Sequence, residues 1–391
     1  MSVRSHDPLA DSDGHLRELL SDGRLEDPME HVSTVIDRTL TSLRPPSPFP
    51  IRELSRPRTT AERAETRVRT LPELAERFTA EESADNPDVT LAVRDLRLSP
   101  DGTLAVPGLG DFTFTDWSRR QCASLLGLRW DKWFENAGPR EQADELNRRF
   151  ARGTGAVKVR TRRTIDNAEP GLVRAIVSTG YSAIADAEVA GLLAQALAPS
   201  DHAQRLIRCD VTDRTASYVV AVGEPYKMGG PGDVGDVWGG LLVRNSGVGY
   251  ASLFISLHLT RLLCRNGMTA PMPDALLLKR RHRGLDMGKL KDILIERLGD
   301  LPSKLRQGAE ILRQGRTRII SNIETELRSL LLSARLPMRI LPDLLSAYRE
   351  EPEETAFGIS QAATLAAQRL TPEERVALER ASGLYLATAK S

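Results

Sequence analysis

The strongest constraint on the fold is the regular alternation of apolar and polar residues between positions 251 and 260. The odd positions are all apolar, and the even positions are mostly polar. The apolar set is Ala251, Leu253, Ile255, Leu257 and Leu259. Because successive side chains of a β-strand point to opposite faces, this period of two predicts a long, half-buried strand and not a helix. On this interpretation His258, at an even position, is an ordinary surface residue.

Turn residues flank this predicted strand on both sides. Arg244 and Asn245 precede it, and Arg265, Asn266 and Gly267 follow it. Asn and Gly tolerate positive φ, so both groups predict chain reversals at the ends of the strand.

Further strand and helix patterns fill the central part of the chain. The period-two stretches are 88–106, 156–164, 171–179 and 205–223. The first of them breaks at Pro100-Asp101-Gly102, which predicts a strand, a turn and a second strand. Apolar residues recur at helical spacing in 139–153 and 186–198. These patterns predict an α+β fold, with an antiparallel β-sheet core and crossing helices, followed by a helical C-terminal region.

Changes in composition and in the apolar pattern divide the sequence into three parts. Residues 1–70 are rich in Asp, Ser, Arg and Pro and predict a disordered or loosely ordered leader. Two short amphipathic pieces in the leader either dock as helices or belong to a solvated tail. We expect the α+β core at 71–285 and the helical region at 286–391.

Composition restricts the class of protein. The 391 residues are 40% hydrophobic and 27% charged, and the net charge is +1. Nucleic-acid binding would therefore depend on local basic clusters and not on overall charge. The three cysteines are far apart, which argues against a zinc site or a disulfide framework. No long uncharged apolar run is present, so we expect a cytoplasmic protein with no membrane partner.

The C-terminal region carries a long apolar stripe at a spacing of three and four residues. Its members are Leu290, Ile293, Leu294, Leu298, Leu305, Ile311, Leu312, Ile319, Ile323, Leu327 and Leu330. This spacing predicts amphipathic helices, which pack either on the protein's own sheet or on another copy. We expect a homo-oligomer that forms through these helices. Thr371 and Glu374 predict a capping box at the start of the last helix.

None of the common catalytic motifs is present, neither a phosphate-binding loop, nor a nucleophile elbow, nor a metalloprotease histidine pair. We therefore predict no catalytic residues, no metal site and no cofactor. Asp233 and Asp236 in the Gly-rich loop 227–240 suit either magnesium or a mobile hairpin loop. A metal-dependent nuclease that adds Asp210 and Asp213 to this pair is a further alternative.

Three basic clusters point towards a nucleic acid. In the strand 156–164 three cations share one face, and the segment 279–283 is basic throughout. Between 117 and 133 arginines neighbour tryptophans, a combination typical of single-strand-binding surfaces. The predicted nucleic-acid-binding residues are Lys158, Arg160, Arg162, Arg163, Arg244, Arg261, Arg265, Lys279, Arg280, Arg281, Arg283, Trp117, Arg119, Arg120, Trp130 and Tyr181.

Three segments carry a resemblance to a known family: FTFTDWSRRQCASLLG (112–127), LVRAIVSTGYSAIADAEV (172–189) and GLLVRNSGVGYASLFISLHLTRLLCRNGM (240–268). They resemble a phage/plasmid-like family of unknown function, found in bacteria and their mobile elements. The resemblance covers residues 70–385. Its most specific positions are Asn245, Ser246, Gly249, Arg261, Cys264, Asn266, Gly267 and Met268. At the level of the fold, the chain is similar to phage single-strand annealing proteins, which implies single-stranded DNA as a partner.

We therefore expect a single-stranded nucleic-acid-binding protein, of the DNA annealing and recombination type found in mobile elements. Annealing needs no catalytic group, because it requires only neutralised backbones and exposed bases. Two alternatives stay open, namely a structural or assembly protein that uses the C-terminal helices, and the metal-dependent nuclease.

Overall fold

The computed structural model describes residues 70–128, 134, 136–163, 170–198, 204–226, 237–261, 268–284 and 287–388; for residue 261 and residues 268–275 it describes the backbone alone. The predicted leader, except Thr70, and the loop residues Asp233 and Asp236 lie outside the described residues. The described strands form two five-stranded sheets, which we call the N-terminal sheet and the C-terminal sheet.

The N-terminal sheet contains β1 (Val89–Ala92), β2 (Leu104–Val106), β3 (Gly110–Phe114), β4 (Ala156–Arg162) and β5 (Gly171–Ser178). Its strand order is β1-β4-β5-β3-β2. All neighbours are antiparallel except β3 and β5, which run parallel.

The C-terminal sheet is an antiparallel meander. It contains β6 (Gln204–Val211), β7 (Ala216–Val222), β8 (Val237–Asn245), β9 (Leu253–Arg261) and β10 (Met268–Arg280), in the order β10-β9-β8-β7-β6. The predicted strand at 251–260 is thus confirmed as β9. The turn residues Arg244 and Asn245 close the preceding strand β8, and the connection to β9 follows them.

The described helices are α1 (Leu71–Glu82), α2 (Asp116–Leu125), α3 (Pro139–Phe150), α4 (Asp186–Leu197), α5 (Met287–Leu298), α6 (Leu301–Thr317), α7 (Ile323–Ser333), α8 (Leu341–Glu350), α9 (Ala356–Ala367) and α10 (Pro372–Thr388). Two 3₁₀ turns lie at Val93–Asp95 and Met338–Ile340. The caps follow the sequence. The Thr115 hydroxyl accepts from the N–H of Ser118 at the start of α2, at 3.1 Å, and Thr371 and Glu374 form a reciprocal capping box at α10.

The two faces of the C-terminal sheet differ in chemistry. The apolar face includes Tyr218, Val220, Leu241, Val243 and Ile255, and these residues share one core cluster with buried side chains of α1, α4, α5 and α6. The opposite face, which we call the polar face, includes Ser217, Arg244, Phe254, Ser256 and His258. α10 packs over part of the polar face, where Val376 contacts Val219 and Leu242. The sheet is therefore covered by helices on both sides.

Most of the predicted apolar stripe in the C-terminal region is buried inside the protein. Leu290, Leu294, Leu305, Leu312 and Leu327 belong to the same core cluster as the apolar face of the sheet. Ile319 is the exception, since its side chain is 71% exposed. Of the two alternatives for the stripe, packing on the protein's own core accounts for these residues, and self-association remains a prediction.

The α+β class is confirmed, with an antiparallel sheet, crossing helices and a helical C-terminal region. The turn predicted at Pro100-Asp101-Gly102 is confirmed, because Leu98 and Leu104 form an antiparallel bridge across it and the Ser99 N–H donates to the Thr103 carbonyl at 2.8 Å. The strands on either side of this turn do not pair with each other, because β1 and β2 lie at opposite edges of the N-terminal sheet. The periodicity identified the strands, but it carries no information about which strand pairs with which.

Candidate nucleic-acid interface

The basic strand β4 has the predicted face, but its cations bind groups of the protein itself. Lys158, Arg160 and Arg162 alternate with buried residues. The Arg160 Nε donates to Asp88 Oδ1 at 2.9 Å, and Arg160 also donates to the Gly247 carbonyl. The Lys158 Nζ donates to the Tyr181 carbonyl at 2.8 Å. β4 therefore ties the N-terminal sheet to the connection between β8 and β9.

Arg162 is held in the same way. It donates to one Asp85 carboxylate oxygen, and Arg174 donates to the other at 2.5 Å. Burial and the charge of Arg162 lower the pKa of Arg174. The shared carboxylate of Asp85 is the group that holds these two like charges close together.

The β8–β9 connection is fixed by buried polar side chains. Asn245 donates to the Ile184 carbonyl at 2.9 Å and to Asp186 Oδ1 at 2.7 Å, which anchors the start of α4. The Trp117 indole N–H donates to the Val248 carbonyl at 3.0 Å, and the Tyr181 hydroxyl donates to the Ser246 carbonyl at 2.9 Å. Asn245 and Ser246, two of the positions on which the resemblance rests, therefore lie in a structural joint between the two sheets.

Two predicted base-stacking residues are occupied within the protein. Trp117 is only 3% exposed and meets Tyr250 edge to face, with 4.8 Å between ring centres. Tyr181 stacks on His282 at 5.4 Å. Trp117 is therefore closed to a base, and His282 covers one face of the Tyr181 ring.

On the β6 side, the polar face of the C-terminal sheet holds a buried ion-pair network. Arg208 forms a bidentate pair with Glu379, at 2.6 and 3.0 Å, and its Nε lies 3.3 Å from Asp210. Arg375 of α10 donates to Asp210 at 2.9 Å and to the Ala367 and Gln368 carbonyls. We call these four side chains, Arg208, Asp210, Arg375 and Glu379, the buried network.

His258 lies in the interior beside this network, so the prediction of a surface histidine is wrong. Its side chain is 0% exposed, and neither ring nitrogen has a hydrogen-bond partner among the described residues. Burial lowers the pKa of His258 to about 4, and the charge of Arg208 acts in the same direction. The polar residues of β9 therefore mark a second covered face and not a solvent face, because α10 packs over them.

At the other side of the polar face, three cations are neighbours of one aromatic residue. Arg244 on β8 and Lys279 on β10 are both paired in register with Phe254 on β9, so the three side chains form a row across adjacent strands. The Arg380 guanidinium of α10 lies 5.2 Å from the Phe254 ring centre. Phe254 and Arg244 are half-buried, while Lys279 and Arg380 are exposed. We call these four side chains the cationic row.

The cationic row differs from β4 in its charge balance. Within the described part of the chain, Arg244, Lys279 and Arg380 make no ion pair with a carboxylate. Partial burial and the charge of Arg244 lower the pKa of Arg380. Like charges therefore lie close together at this edge without a neutralising acid, which makes the row a place of positive potential.

A second cation–aromatic group extends the row around the end of the sheet. The Arg244 guanidinium lies 5.6 Å from the Tyr250 ring centre, on which Arg214 also rests at 5.6 Å. Arg214 lies 6.0 Å from the Trp117 ring. The surface thus runs from Lys279 through Arg244 and Tyr250 to Arg214.

Beyond Arg214 lies a cleft with a volume of about 110 Å³. Its lining contains both guanidinium and carboxyl groups together with threonine hydroxyls. The charged and hydroxyl-bearing lining residues are Glu81, Glu82, Thr115, Arg162, Arg174, Asp186, Thr212, Asp213, Arg214 and Thr215. We call this feature the mixed-charge cleft.

Three carboxyl groups of the cleft share an unusual electrostatic state. Burial raises the pKa of Glu82, Asp186 and Asp213, and a neighbouring acid adds to the effect in each case. Glu82 Oε1 accepts from the N–H of Asp186 at 2.7 Å, and Asp186 Oδ1 accepts from Asn245. Asp213 is the least constrained, with its nearest ion-pair partner, Arg214, at 3.8 Å.

The remaining predicted residues are distributed as follows. Arg280, Arg281 and Arg283 are exposed near the end of β10, while His282 between them is buried and has its pKa lowered to about 4 by burial. Arg163 is exposed at the end of β4, and Arg119 and Arg120 are half-buried on α2. Trp130 and Arg265 lie outside the described residues, and Arg261 is described only in its backbone.

The aspartates of the nuclease alternative do not come together in the described part of the chain. Asp210 is paired with arginines of the buried network, whereas Asp213 lies in the β6–β7 turn at the cleft. No group of three or more His, Cys, Asp or Glu side chains among the described residues is arranged to hold a metal ion. No helix in the described ranges is long and apolar enough to cross a membrane.

Sequence reasoning identified Arg244 and Lys279 but missed Phe254, Tyr250, Arg214 and Arg380. Phe254 occupies an even position of β9, between polar residues at the other even positions. Its place on the polar face could therefore have been predicted from the sequence. Arg380 comes from the last helix, 126 residues after Phe254, and no local pattern joins the two. Comparisons of the chain with models of known protein families, with curated proteins and with solved structures gave no match.

Proposed function

We propose that the protein binds single-stranded DNA along the cationic row and its extension at Tyr250 and Arg214. The observation that carries the proposal is the set of three cations around Phe254, which have no acidic partner among the described residues. Cations that are not used for internal neutralisation are available for an external polyanion.

The combination of groups suits a single strand in particular. Single-strand-binding surfaces join a positive groove that follows the backbone with aromatic rings on which bases stack. Neighbouring strands of a sheet lie about 4.8 Å apart, so Arg244 and Lys279, two strands apart, are separated by roughly 10 Å. That span is suited to a few nucleotides, with phosphates on the cations and a base over Phe254 once the Arg380 side chain shifts. Exposed Arg281 and Arg283 continue the basic surface past β10.

The phosphate contacts that we propose differ from those expected at β4. Arg160 and Arg162 pair with Asp88 and Asp85, so moving these arginines onto a phosphate would break the ion pair of Asp88 and leave Asp85 with Arg174 alone. Moving Arg244, Lys279 or Arg380 onto a phosphate breaks no ion pair with a described carboxylate. We therefore assign the main phosphate contacts to Arg244, Lys279 and Arg380.

The test is a titration of the full chain against a labelled oligothymidylate of about 16 nucleotides, the upper end of the site size of one small binding domain, across a salt series. The variant is R244Q/K279Q/R380Q. Each phosphate contact with a single strand contributes about −0.7 to the slope of log K against log salt, so three lost contacts make the slope shallower by about 2.

The matched control is R140Q/R306Q/R349Q, which removes the same charge from exposed arginines on α3, α6 and α8. The control should keep the wild-type slope. Equal slopes for the two triple variants, or no binding by the wild-type protein at low salt, would contradict the proposal. Circular dichroism and urea unfolding of both variants check that the fold is intact.

A further inference from the structure

The mixed-charge cleft adjoins the proposed strand-binding surface, because Arg214 belongs to both. Its guanidinium rests on Tyr250 at one side and lines the cleft at the other. A strand that follows the cationic row past Tyr250 therefore reaches the mouth of the cleft. The inference below rests on the proposed function and concerns what enters this cleft.

The lining restricts the chemistry of the occupant. Arg162, Arg174 and Arg214 face the same space as Glu82, Asp186 and Asp213. A phosphate would meet the carboxylates, and an ammonium group would meet the guanidiniums, so neither simple ion suits the cleft. A neutral, planar ligand with donors and acceptors on one edge satisfies both sets of groups. An unstacked nucleobase has these properties and can be read by hydrogen bonds along its edge.

Guanine matches the lining best among the bases. Its edge places the N1–H and N2–H donors side by side, which suits the two oxygens of a carboxylate. The O6 and N7 acceptors of the same base suit an arginine. Cytosine and adenine each offer a single exocyclic amino group, and thymine offers one N–H, so none of them pairs both oxygens of a carboxylate from two donor atoms.

The contacts within the cleft indicate which carboxylate is available. Glu82 Oε1 and Asp186 Oδ1 already accept hydrogen bonds from the protein, at 2.7 Å in each case. Asp85 holds Arg162 and Arg174, so these two guanidiniums are fixed in position. Among the described residues, the Asp213 side chain has the long 3.8 Å pair with Arg214 in the same turn and a hydrogen bond to its own backbone. Its carboxylate is therefore the one whose oxygens are least engaged.

We propose that the mixed-charge cleft binds one unstacked guanine of the bound strand. The carboxylate of Asp213 accepts from N1–H and N2–H, and a guanidinium of the cleft donates to the acceptor edge. The protein then prefers single strands that contain guanine, while the cationic row supplies affinity that does not depend on sequence.

The experiment compares five labelled oligonucleotides of about 16 nucleotides with the full chain at one salt concentration. One is all thymidine, and the others carry a single dG, dI, dA or dC at the centre. The dG strand should bind about 10-fold more tightly than the all-thymidine strand. The dI strand, which lacks the N2 amino group, should fall between the two.

The variant is D213N, and the matched control is D116N. Asp116 is exposed at the start of α2 and affects the same region electrostatically, but it does not line the cleft. D213N should bind the all-thymidine strand like the wild type and lose the preference for dG. D116N should keep the preference.

The outcomes separate this inference from the proposed function. Binding of all five strands with equal affinity, or a preference for dC or dA, would overturn the guanine site and leave strand binding intact. Retention of the dG preference by D213N would overturn the role of Asp213 and with it the proposed site. If no strand binds, the proposed function fails and this inference fails with it.

Discussion

The two halves of the polar face of the C-terminal sheet carry arginines in opposite surroundings. On the β6 side, Arg208 and Arg375 are matched by Glu379 and Asp210 under α10. On the β8–β10 side, Arg244, Lys279 and Arg380 are neighbours of Phe254 at the solvent edge, where no described carboxylate pairs with them. On the β6 side the arginines are part of the interior and are neutralised by acids. On the β8–β10 side the arginines leave positive charge at the surface.

The difference shows how the position of the acids decides what an arginine does. A buried guanidinium without a counter-ion costs several kcal/mol, so the fold must supply a carboxylate wherever α10 covers the sheet. An exposed cation remains hydrated and needs no internal partner. β4 of the N-terminal sheet resembles the β6 side in this respect, since Asp85 and Asp88 neutralise its arginines. Arginines that pair with acids of the protein are already neutralised, so a count of basic residues overstates the charge that the protein presents to solvent.

The largest effect is expected from breaking the buried network. E379Q removes the buried carboxylate that pairs with the half-buried Arg208, and should lower the free energy of unfolding by about 3–5 kcal/mol. E324Q, which breaks the exposed pair between Glu324 and Arg328, is the control and should cost less than about 1 kcal/mol. Urea unfolding midpoints measure both. A loss below about 1 kcal/mol for E379Q would erase the distinction between the two halves.

The second prediction uses the pH dependence of His258. Its pKa is 6.5 as a free side chain and about 4 in the folded protein. As the pH falls from 6.5 to 4, the unfolded chain takes up a proton that the folded protein excludes, so stability is lost over that window. The loss amounts to about 3 kcal/mol and is absent above the window.

H258N isolates this contribution, since the raised pKa values of Glu82 and Asp186 act equally in both proteins and cancel in the difference. The advantage of the wild type over H258N in unfolding free energy should shrink steadily from pH 6.5 to 4. A constant difference would mean that His258 is protonated in the folded state. In that case Glu379, the one acid that raises the pKa of His258, holds a charged imidazole.

The smallest effect is expected at β4. R160Q removes the pair with Asp88 and the contact with the Gly247 carbonyl, and should cost about 1–2 kcal/mol of stability. The salt slope for single-stranded DNA should stay at its wild-type value. R148Q on α3, which removes an exposed arginine that pairs with the half-buried Glu145, is the control. A slope shallower by about 0.7 for R160Q would restore β4 as a phosphate-contacting strand.

The outcome for β9 shows how far sequence reasoning reaches. The period of two identified the strand and its apolar face, because one buried face leaves a direct trace in the order of residues. The same alternation assigned His258, Ser256 and Thr260 to solvent, and all three are buried. Polar residues can lie beneath a helix when charged partners from that helix accompany them, and α10 supplies Arg375 and Glu379 from a distant part of the chain.

Local physics was sufficient to predict the strand β9, the helix α3 and the cap of α10. Thr371 and Glu374 start α10 as predicted, and Ala143, Leu146 and Phe150 form the buried side of α3. These features depend on residues within one or two turns of each other, so a single sequence carries them.

The pairing of charges was decided only by the tertiary structure. Asp85 meets Arg162 across 77 residues, Glu379 meets Arg208 across 171, and Arg380 lies over Phe254 from the last helix. Sheet register and helix packing set these distances, and a charge is neutralised or left exposed according to what lies within about 4 Å of it. The sequence by itself determined that the chain carries cations on strands. Whether those cations face an acid or the solvent followed from the fold.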